Sequence, residues 1–218
     1  MSSEPAARGG SVTTRERVRE VFAQRGFRRL IGTRVVSQMG DGIFQLSAAA
    51  VLLFENAGPN PVFDLLAVSI VTLVPFSVIA PFTGVFIDRW DRHKILTRVP
   101  LIRAAIAAML PLAALTGEGG PAFYAVVLLV LSANRFFLAT MSAILPQLVP
   151  ADDLLVANSA ATTGGAIANV TGQGVGSALA AAIGGVRSSL LASLLFAAAA
   201  LAARRVPAAC GEGRCGEQ

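Results

Sequence analysis

Residues 84–96 read GVFIDRWDRHKIL, a charged stretch between two long apolar runs. Its polar core consists of six ionisable residues, namely Asp88, Arg89, Asp91, Arg92, His93 and Lys94. Nothing else in the middle of the chain is as polar. Each neighbouring apolar run is about 20 residues or longer, which is enough to cross a bilayer. The stretch is therefore predicted to be a short turn between two membrane helices.

The composition of the chain is typical of an integral membrane protein. Of its 218 residues, 54% are hydrophobic and 14% are charged, whereas soluble domains carry about 25% charged residues. The mean hydropathy is +0.65. A soluble all-α protein would need polar faces on its helices, and most of the apolar segments have none. The net charge of +5 does not indicate nucleic-acid binding, because the basic residues cluster at the ends of apolar runs.

Six apolar segments are predicted to cross the membrane. They are spans 1 to 6, at about residues 30–54, 63–87, 95–115, 122–149, 154–183 and 186–203. At a rise of about 1.5 Å per residue, each can cross a hydrocarbon core of about 30 Å. The sequence thus predicts an all-α polytopic membrane protein. A basic leader (1–29) precedes the transmembrane domain (30–203), and a tail (204–218) follows it.

Basic residues in the short loops predict the orientation. The leader is rich in Arg, the loop after span 2 is basic, and the loops after spans 1 and 3 carry no Arg or Lys. This alternation predicts a cell-membrane protein with both termini in the cytoplasm; Arg187, after span 5, is an exception. In the leader, Val18, Val21 and Phe22 follow a helical spacing and favour an interfacial helix, while a disordered leader is an equal alternative. No signal peptide is apparent.

The charged turn carries a motif. Gly84, Asp88, Arg89 and Arg92 have the spacing G-x-x-x-D-R-x-x-R, with Lys94 in the expected neighbourhood. Together with six spans, this motif resembles the N-terminal half of the major facilitator superfamily, over about residues 28–205. The resemblance implies a secondary active transporter with two inverted three-helix repeats and no cofactor. It also implies a conformational-switch motif in which the acid contacts a helix of a second half.

The motif departs from the family pattern at two positions. Asp91 stands where the family usually has Gly, and His93 where it often has a basic residue. The small Gly84 would allow another helix to approach closely. Asp88 follows the end of a helix, whose dipole disfavours a carboxylate there, so it needs an Arg partner or another helix N-terminus. The alternative interpretation is an ordinary basic cytoplasmic loop.

Asp41 is an acid about a dozen residues into span 1. Such an acid costs roughly 2.5–3.5 kcal/mol at the bilayer centre, so it must face a cavity, have a partner or bind a proton. The resemblance implies that span 1 lines the central cavity, where acids couple proton movement to substrate. Asp41 is therefore a candidate proton site. A structural ion pair, for example with an Arg of span 4, is an equal alternative.

Three further polar residues are candidates for lining the same cavity. Gln38 and Gln45 lie three and four residues from Asp41 and share its helix face. Arg135, in the middle of span 4, is a candidate to respond to protonation of an acid, to bind an anionic group or to pack against Asp41. Two other arginines, Arg98 and Arg103, lie near the start of span 3.

Span 5 has small residues at intervals of four. Gly172 and Gly176 form a G-x-x-x-G face that favours close helix packing. The stretch GQGVGS at 172–177 also resembles the Gly-Pro-x-x-Gly-Gly motif of family antiporters, but Gln173 replaces the Pro and Ser177 the final Gly. Helix packing explains the small residues without the motif.

The sequence offers no cluster typical of an enzyme or a metal site. It has one His and no G-x-x-x-x-G-K-S/T loop, so neither an enzyme nor nucleotide-driven transport is expected. Cys210 and Cys215 in the tail are weak evidence for metal binding. The expected partners are the lipid bilayer and a small-molecule substrate.

The predicted function is proton-coupled efflux of small amphipathic compounds, with the exporter direction resting on family analogy. Half a transporter does not enclose a midplane cavity by itself. Three interpretations follow: a truncated or frameshifted product, a half that pairs with a separately encoded second half or with itself, and a non-transporting membrane scaffold. The Gly-rich tail favours the first.

Overall fold

The computed structural model describes residues 14–55, 66, 69–70, 92–115 and 120–206. Most of span 2 lies outside these residues, as do Gly84, Asp88, Arg89, Cys210 and Cys215. The described part is helical and contains no strand. Its helices are α1 (Thr14–Ala23), α2 (Arg25–Ala50), α3 (Arg92–Ala108), α4 (Leu110–Leu115), α5 (Pro121–Ile144), α6 (Leu154–Ile183) and α7 (Gly185–Ala203). A π-helical turn, Val51–Glu55, continues α2, and the 3-10 turns Leu145–Gln147 and Ala151–Asp153 lie between α5 and α6.

Five helical segments in the described ranges are long and apolar enough to cross a membrane. They are Arg25–Leu53, His93–Leu115, Pro121–Gln147, Ala151–Ile183 and Gly185–Ala203. They coincide with predicted spans 1, 3, 4, 5 and 6, so the all-α polytopic fold class is confirmed. The count of six spans and the inverted repeats stay predictions, because span 2 lies largely outside the described residues.

Several helices differ from their predicted spans; α5, for example, ends at Ile144, five residues before the predicted end of span 4. Helix α2 begins at Arg25, five residues before the predicted start of span 1. Span 3 is divided at Met109 into α3 and α4. Pro111 explains this break, because it has no N–H to donate to the preceding helical turn. At Gly184, φ is 89°, a conformation that glycine adopts readily, and the chain passes there from α6 into α7.

The leader helix α1 packs against the end of the bundle. Val21 is fully buried in an apolar cluster with Phe27, Leu96 and Phe137, whereas Val18 and Phe22 remain partly exposed. Arg17 Nη1 donates a hydrogen bond to the carbonyl oxygen of Asp152. Residues 14–23 are thus helical and in contact with the spans.

Helix α2 crosses α6 with almost no side chain between the two backbones. A Cβ atom on Gly172 would overlap the carbonyl oxygen of Met39, and one on Gly42 would overlap the carbonyl oxygen of Asn169. A Cβ on Gly176 would lie 2.8 Å from Ile43 Cα. The small-residue face that includes Gly172 and Gly176 is therefore the face of α6 that contacts α2.

Helix α2 also lies close to α7. Ser47 and Ser188 share a buried hydrogen bond of 2.7 Å between their hydroxyl oxygens. A Cβ on Gly185 would lie 2.6 Å from the carbonyl oxygen of Ser47, and one on Gly40 would lie 2.9 Å from Phe196 Cε1. These contacts fix α2 between α6 and α7.

Substitution at the α2–α6 crossing tests this packing. We expect Gly172→Ala to destabilise the protein by about 1–3 kcal/mol, because the added methyl group overlaps the backbone of α2. Gly174→Ala, on the same helix with open space around its Cα, is the matched control and should be neutral or slightly stabilising. Thermal unfolding in detergent micelles measures both. Equal melting temperatures for the two variants would contradict the close crossing.

Candidate functional site

Asp41 on α2 forms a buried ion pair with Arg103 on α3. Both side chains have no exposed surface, and Arg103 Nη2 contacts Asp41 Oδ1. Arg103 Nη1 also donates to Ser37 Oγ at 2.9 Å. Ser37 and Asp41 are four residues apart and share one face of α2, so a single guanidinium reaches both. The ion pair therefore connects α2 to α3 inside the bundle.

The aromatic ring of Phe196 on α7 completes the surroundings of Arg103. Arg103 Cζ lies 4.1 Å from the ring centroid, within the range of a cation–π interaction. Phe196 is itself fully buried and packs beside Phe44 of α2, with ring centroids 6.4 Å apart. The charged pair is thus in contact with three helices, α2, α3 and α7.

Arg135 on α5 is the second cation near Asp41. It is half-buried and close enough for electrostatic attraction to the Asp41 carboxylate. The direct ion-pair partner is nevertheless Arg103 of span 3, and not an Arg of span 4 such as Arg135. One carboxylate therefore lies near two guanidinium groups.

Several polar atoms in this region have no hydrogen-bond partner among the described residues. They are Asp41 Oδ2, Arg103 Nε, Gln38 Oε1 and Asn134 Oδ1. Buried polar groups in proteins are nearly always paired, because leaving them unpaired costs free energy. The second oxygen of Asp41 is the position of greatest chemical interest, since it can accept a proton while the first oxygen remains in contact with Arg103.

The other predicted cavity residues are placed differently. Gln38 is buried, and its backbone carbonyl oxygen accepts a 3.3 Å hydrogen bond from Asn169 Nδ2 of α6. Gln173, which replaces the antiporter-motif proline, donates to the side-chain oxygen of Asn169 at 2.8 Å. Gln45 is half-buried on α2. Within the described ranges, no hydrogen bond joins Gln45 to the ion pair.

Two of the five predicted switch residues lie at the start of α3. Arg92 is the first residue of that helix, and Lys94 is exposed in its first turn. Gly84, Asp88 and Arg89 lie outside the described residues. The role of the motif as a conformational switch stays a prediction.

Sequence reasoning missed the importance of Arg103. It lies about eight residues into predicted span 3, or about 12 Å along the helix, which is deep for an arginine inside a membrane. Intramembrane arginines almost always pair with an acid or with backbone carbonyl groups. Asp41 is the other charged residue deep in the early spans, so this rule could have predicted that it pairs with Arg103.

The ion pair predicts that substitutions at Asp41 and Arg103 have non-additive effects on stability. Arg103→Met should destabilise the protein by about 3–5 kcal/mol, because it leaves the buried Asp41 carboxylate unpaired. The double variant Asp41→Leu/Arg103→Met should recover part of this loss, because it removes both charges. Arg98→Met, an exposed position on the same helix, is the matched control and should change stability by no more than about 0.5 kcal/mol. Thermal unfolding in micelles measures all three, and additive losses in the double variant would contradict the pair.

Comparison with known proteins relates the sequence to membrane transporters. No family model matches the sequence. The chain is 34% identical over 157 residues to an uncharacterised MFS-type transporter of Mycobacterium tuberculosis, covering 71% of this chain and 35% of the relative. It is 31% identical over 122 residues to macrolide efflux protein A of Streptococcus pyogenes, covering 56% of this chain and 29% of that protein. An uncharacterised MFS-type transporter of Bacillus subtilis is 26% identical over 131 residues.

The chain spans about a third of the length of the curated relatives it matches. No solved structure matches it. Three observations point to the same family of transporters. They are the motif at residues 84–96, the apolar helices of the described part and these relatives. The chain is a homologue of MFS-type transporters, over a region consistent with the N-terminal half of a major facilitator superfamily member.

Proposed function

We propose that this chain is the N-terminal half of a secondary active transporter that exports small amphipathic compounds in exchange for protons. The observation that carries the proposal is the Asp41–Arg103 ion pair, buried within a bundle of apolar helices, with Arg135 nearby. Ionisable residues inside membrane helices are costly, and they mark substrate paths and proton relays.

The proton step begins at Asp41. Proton binding to Oδ2 neutralises the carboxylate and weakens its attraction to Arg103. A buried guanidinium without an ionised partner is strongly unfavourable, even with Ser37 and the Phe196 ring in contact. Protonation therefore favours a second arrangement of α2 relative to α3 and α7. A proton is coupled to a conformational change when its binding alters the relative stability of the two arrangements.

The substrate class is inferred from the relatives. Three of them carry the name macrolide efflux protein A, and macrolides combine a large apolar ring with polar sugars. We propose amphipathic compounds of this kind as substrates, bound between this half and a second six-helix unit. That unit is either another polypeptide segment or a second copy of the chain. The proposed setting is the cell membrane, with both termini in the cytoplasm.

A non-transporting membrane interaction protein is the second candidate. Such a protein would co-purify with another membrane protein and bind no substrate.

Reconstitution separates the two functions. The full chain, together with the remaining part of the Mycobacterium tuberculosis relative, is placed in vesicles with an imposed proton gradient. The transporter proposal predicts accumulation of a labelled macrolide that a protonophore abolishes. Stable insertion of both parts without gradient-dependent accumulation would contradict it and favour the interaction protein.

Substitution of the acid tests proton coupling in the same vesicles. Asp41→Asn should abolish proton-dependent accumulation, because an amide cannot take up the proton, while insertion is retained. Asp152→Asn, an exposed acid at the end of the bundle, is the matched control and should transport as the unchanged chain does. A pH electrode outside the vesicles measures proton movement on macrolide addition. Unchanged proton movement in Asp41→Asn would exclude Asp41 as the coupling group.

A further inference from the structure

Three helix ends form a cluster of positive charge at one end of the bundle. Arg29 Nη1, in the first turns of α2, donates to the carbonyl oxygen of Arg205 at 2.8 Å. His93 Nε2, at the start of α3, donates to the carbonyl oxygen of Val206 at 2.9 Å. These two bonds hold the starts of α2 and α3 against the end of α7. The basic cluster that results consists of Arg28, Arg29, Lys94, Arg98, Arg204 and Arg205.

All six side chains of the basic cluster are exposed. No acidic residue occurs among residues 25–33, 92–103 or 198–206, which form these helix ends. In the adjoining motif, Asp88 and Asp91 are matched in number by Arg89 and Arg92. The cluster therefore presents a surplus of positive charge.

The helix ends add to this positive potential. The N-terminus of a helix carries a partial positive charge and favours acidic residues in its first turn. Neither α2 nor α3 has one there, and both have basic residues instead. The end of α7 would contribute negative charge, but Arg29 and His93 donate hydrogen bonds to the carbonyl groups of Arg205 and Val206, in the turn that directly follows this helix. An anion at this position would relieve the repulsion among these groups.

Apolar surface lies beside the basic cluster on the same helices. Leu101 and Ile102 on α3 and Leu201 on α7 are each more than half exposed, within four residues of Arg98 or Arg205. The helix ends of a membrane bundle lie near the lipid headgroups. The exposed Leu101, Ile102 and Leu201 lie closer to the acyl chains. Exposed basic and exposed apolar side chains therefore lie side by side at this end of the bundle.

We propose that the basic cluster binds the headgroup of an anionic phospholipid, with the acyl chains against α3 and α7. The phosphate lies among Arg28, Lys94, Arg204 and Arg205. Arg29 and His93 act as positioning residues, because they hold the helix ends together through backbone carbonyl groups. This proposal requires insertion in a membrane but does not depend on transport.

Binding of phosphatidylglycerol to the full chain in a neutral detergent tests the proposal. Each charge removed near an anionic lipid surface changes affinity about fivefold, so Arg204→Gln/Arg205→Gln should weaken binding roughly 25-fold. Both substitutions keep the carbonyl group of residue 205 and its hydrogen bond. Arg15→Gln/Arg19→Gln on α1 removes the same charge from exposed positions outside the cluster, and should bind within about threefold of the unchanged chain.

Phosphatidylcholine and inorganic phosphate distinguish the sources of the anion. The proposal predicts that phosphatidylglycerol binds at least tenfold more tightly than either. Equal binding of phosphatidylcholine, or of inorganic phosphate, would overturn it. Equal weakening in the α1 variant would also overturn it, because general surface charge would then explain the affinity. The melting temperature of each variant without added lipid establishes folding, and Lys94→Gln/Arg98→Gln provides a second test within the cluster.

Discussion

The buried ion pair between Asp41 and Arg103 links α2 to α3 inside the bundle, and the helices around it must keep both charges paired. Removing two charges from water is expensive, and the attraction between them offsets that cost only when their geometry is fixed. The geometry is fixed here by backbone contacts elsewhere. Gly42 and Gly172 let α2 meet α6 directly, and Gly185 lets α7 meet α2, so that Phe196 lies against the guanidinium. The glycines at the helix crossings thus position Asp41 and Arg103.

The ion pair and the basic cluster use the same helices at different depths. Both contact α2, α3 and α7: the ion pair inside the bundle through Asp41, Arg103 and Phe196, and the basic cluster at the helix ends through Arg29 and His93. A rearrangement of these helices when Asp41 is protonated would therefore also change the relative positions of their ends. The proposed proton coupling and the proposed lipid binding therefore involve the same three helices.

Hydropathy alone predicted most of the fold. Spans 1, 3, 4, 5 and 6 correspond to helices because long apolar runs have few alternatives in a membrane. The G-x-x-x-G spacing predicted a packing face at Gly172 and Gly176, but not that α2 would be the partner. The Arg103 partner of Asp41 lies 62 residues away, and periodicity within one helix carries no information about which helix lies opposite. Counting apolar residues does not reveal the break at Met109, because the break is caused by a single residue, Pro111.

The distance between the Asp41 side-chain carboxyl carbon and the Arg103 guanidinium nitrogens in a lipid bilayer tests the central claim most directly. Solid-state NMR of the full chain, labelled with carbon-13 in aspartate and nitrogen-15 in arginine, measures it through dipolar coupling, and Asp41→Asn assigns the signal. We expect a direct contact, with nitrogen and oxygen within about 4 Å. Coupling that places the two groups well beyond that contact, or an Asp41 signal coupled to Arg135 instead, would contradict it.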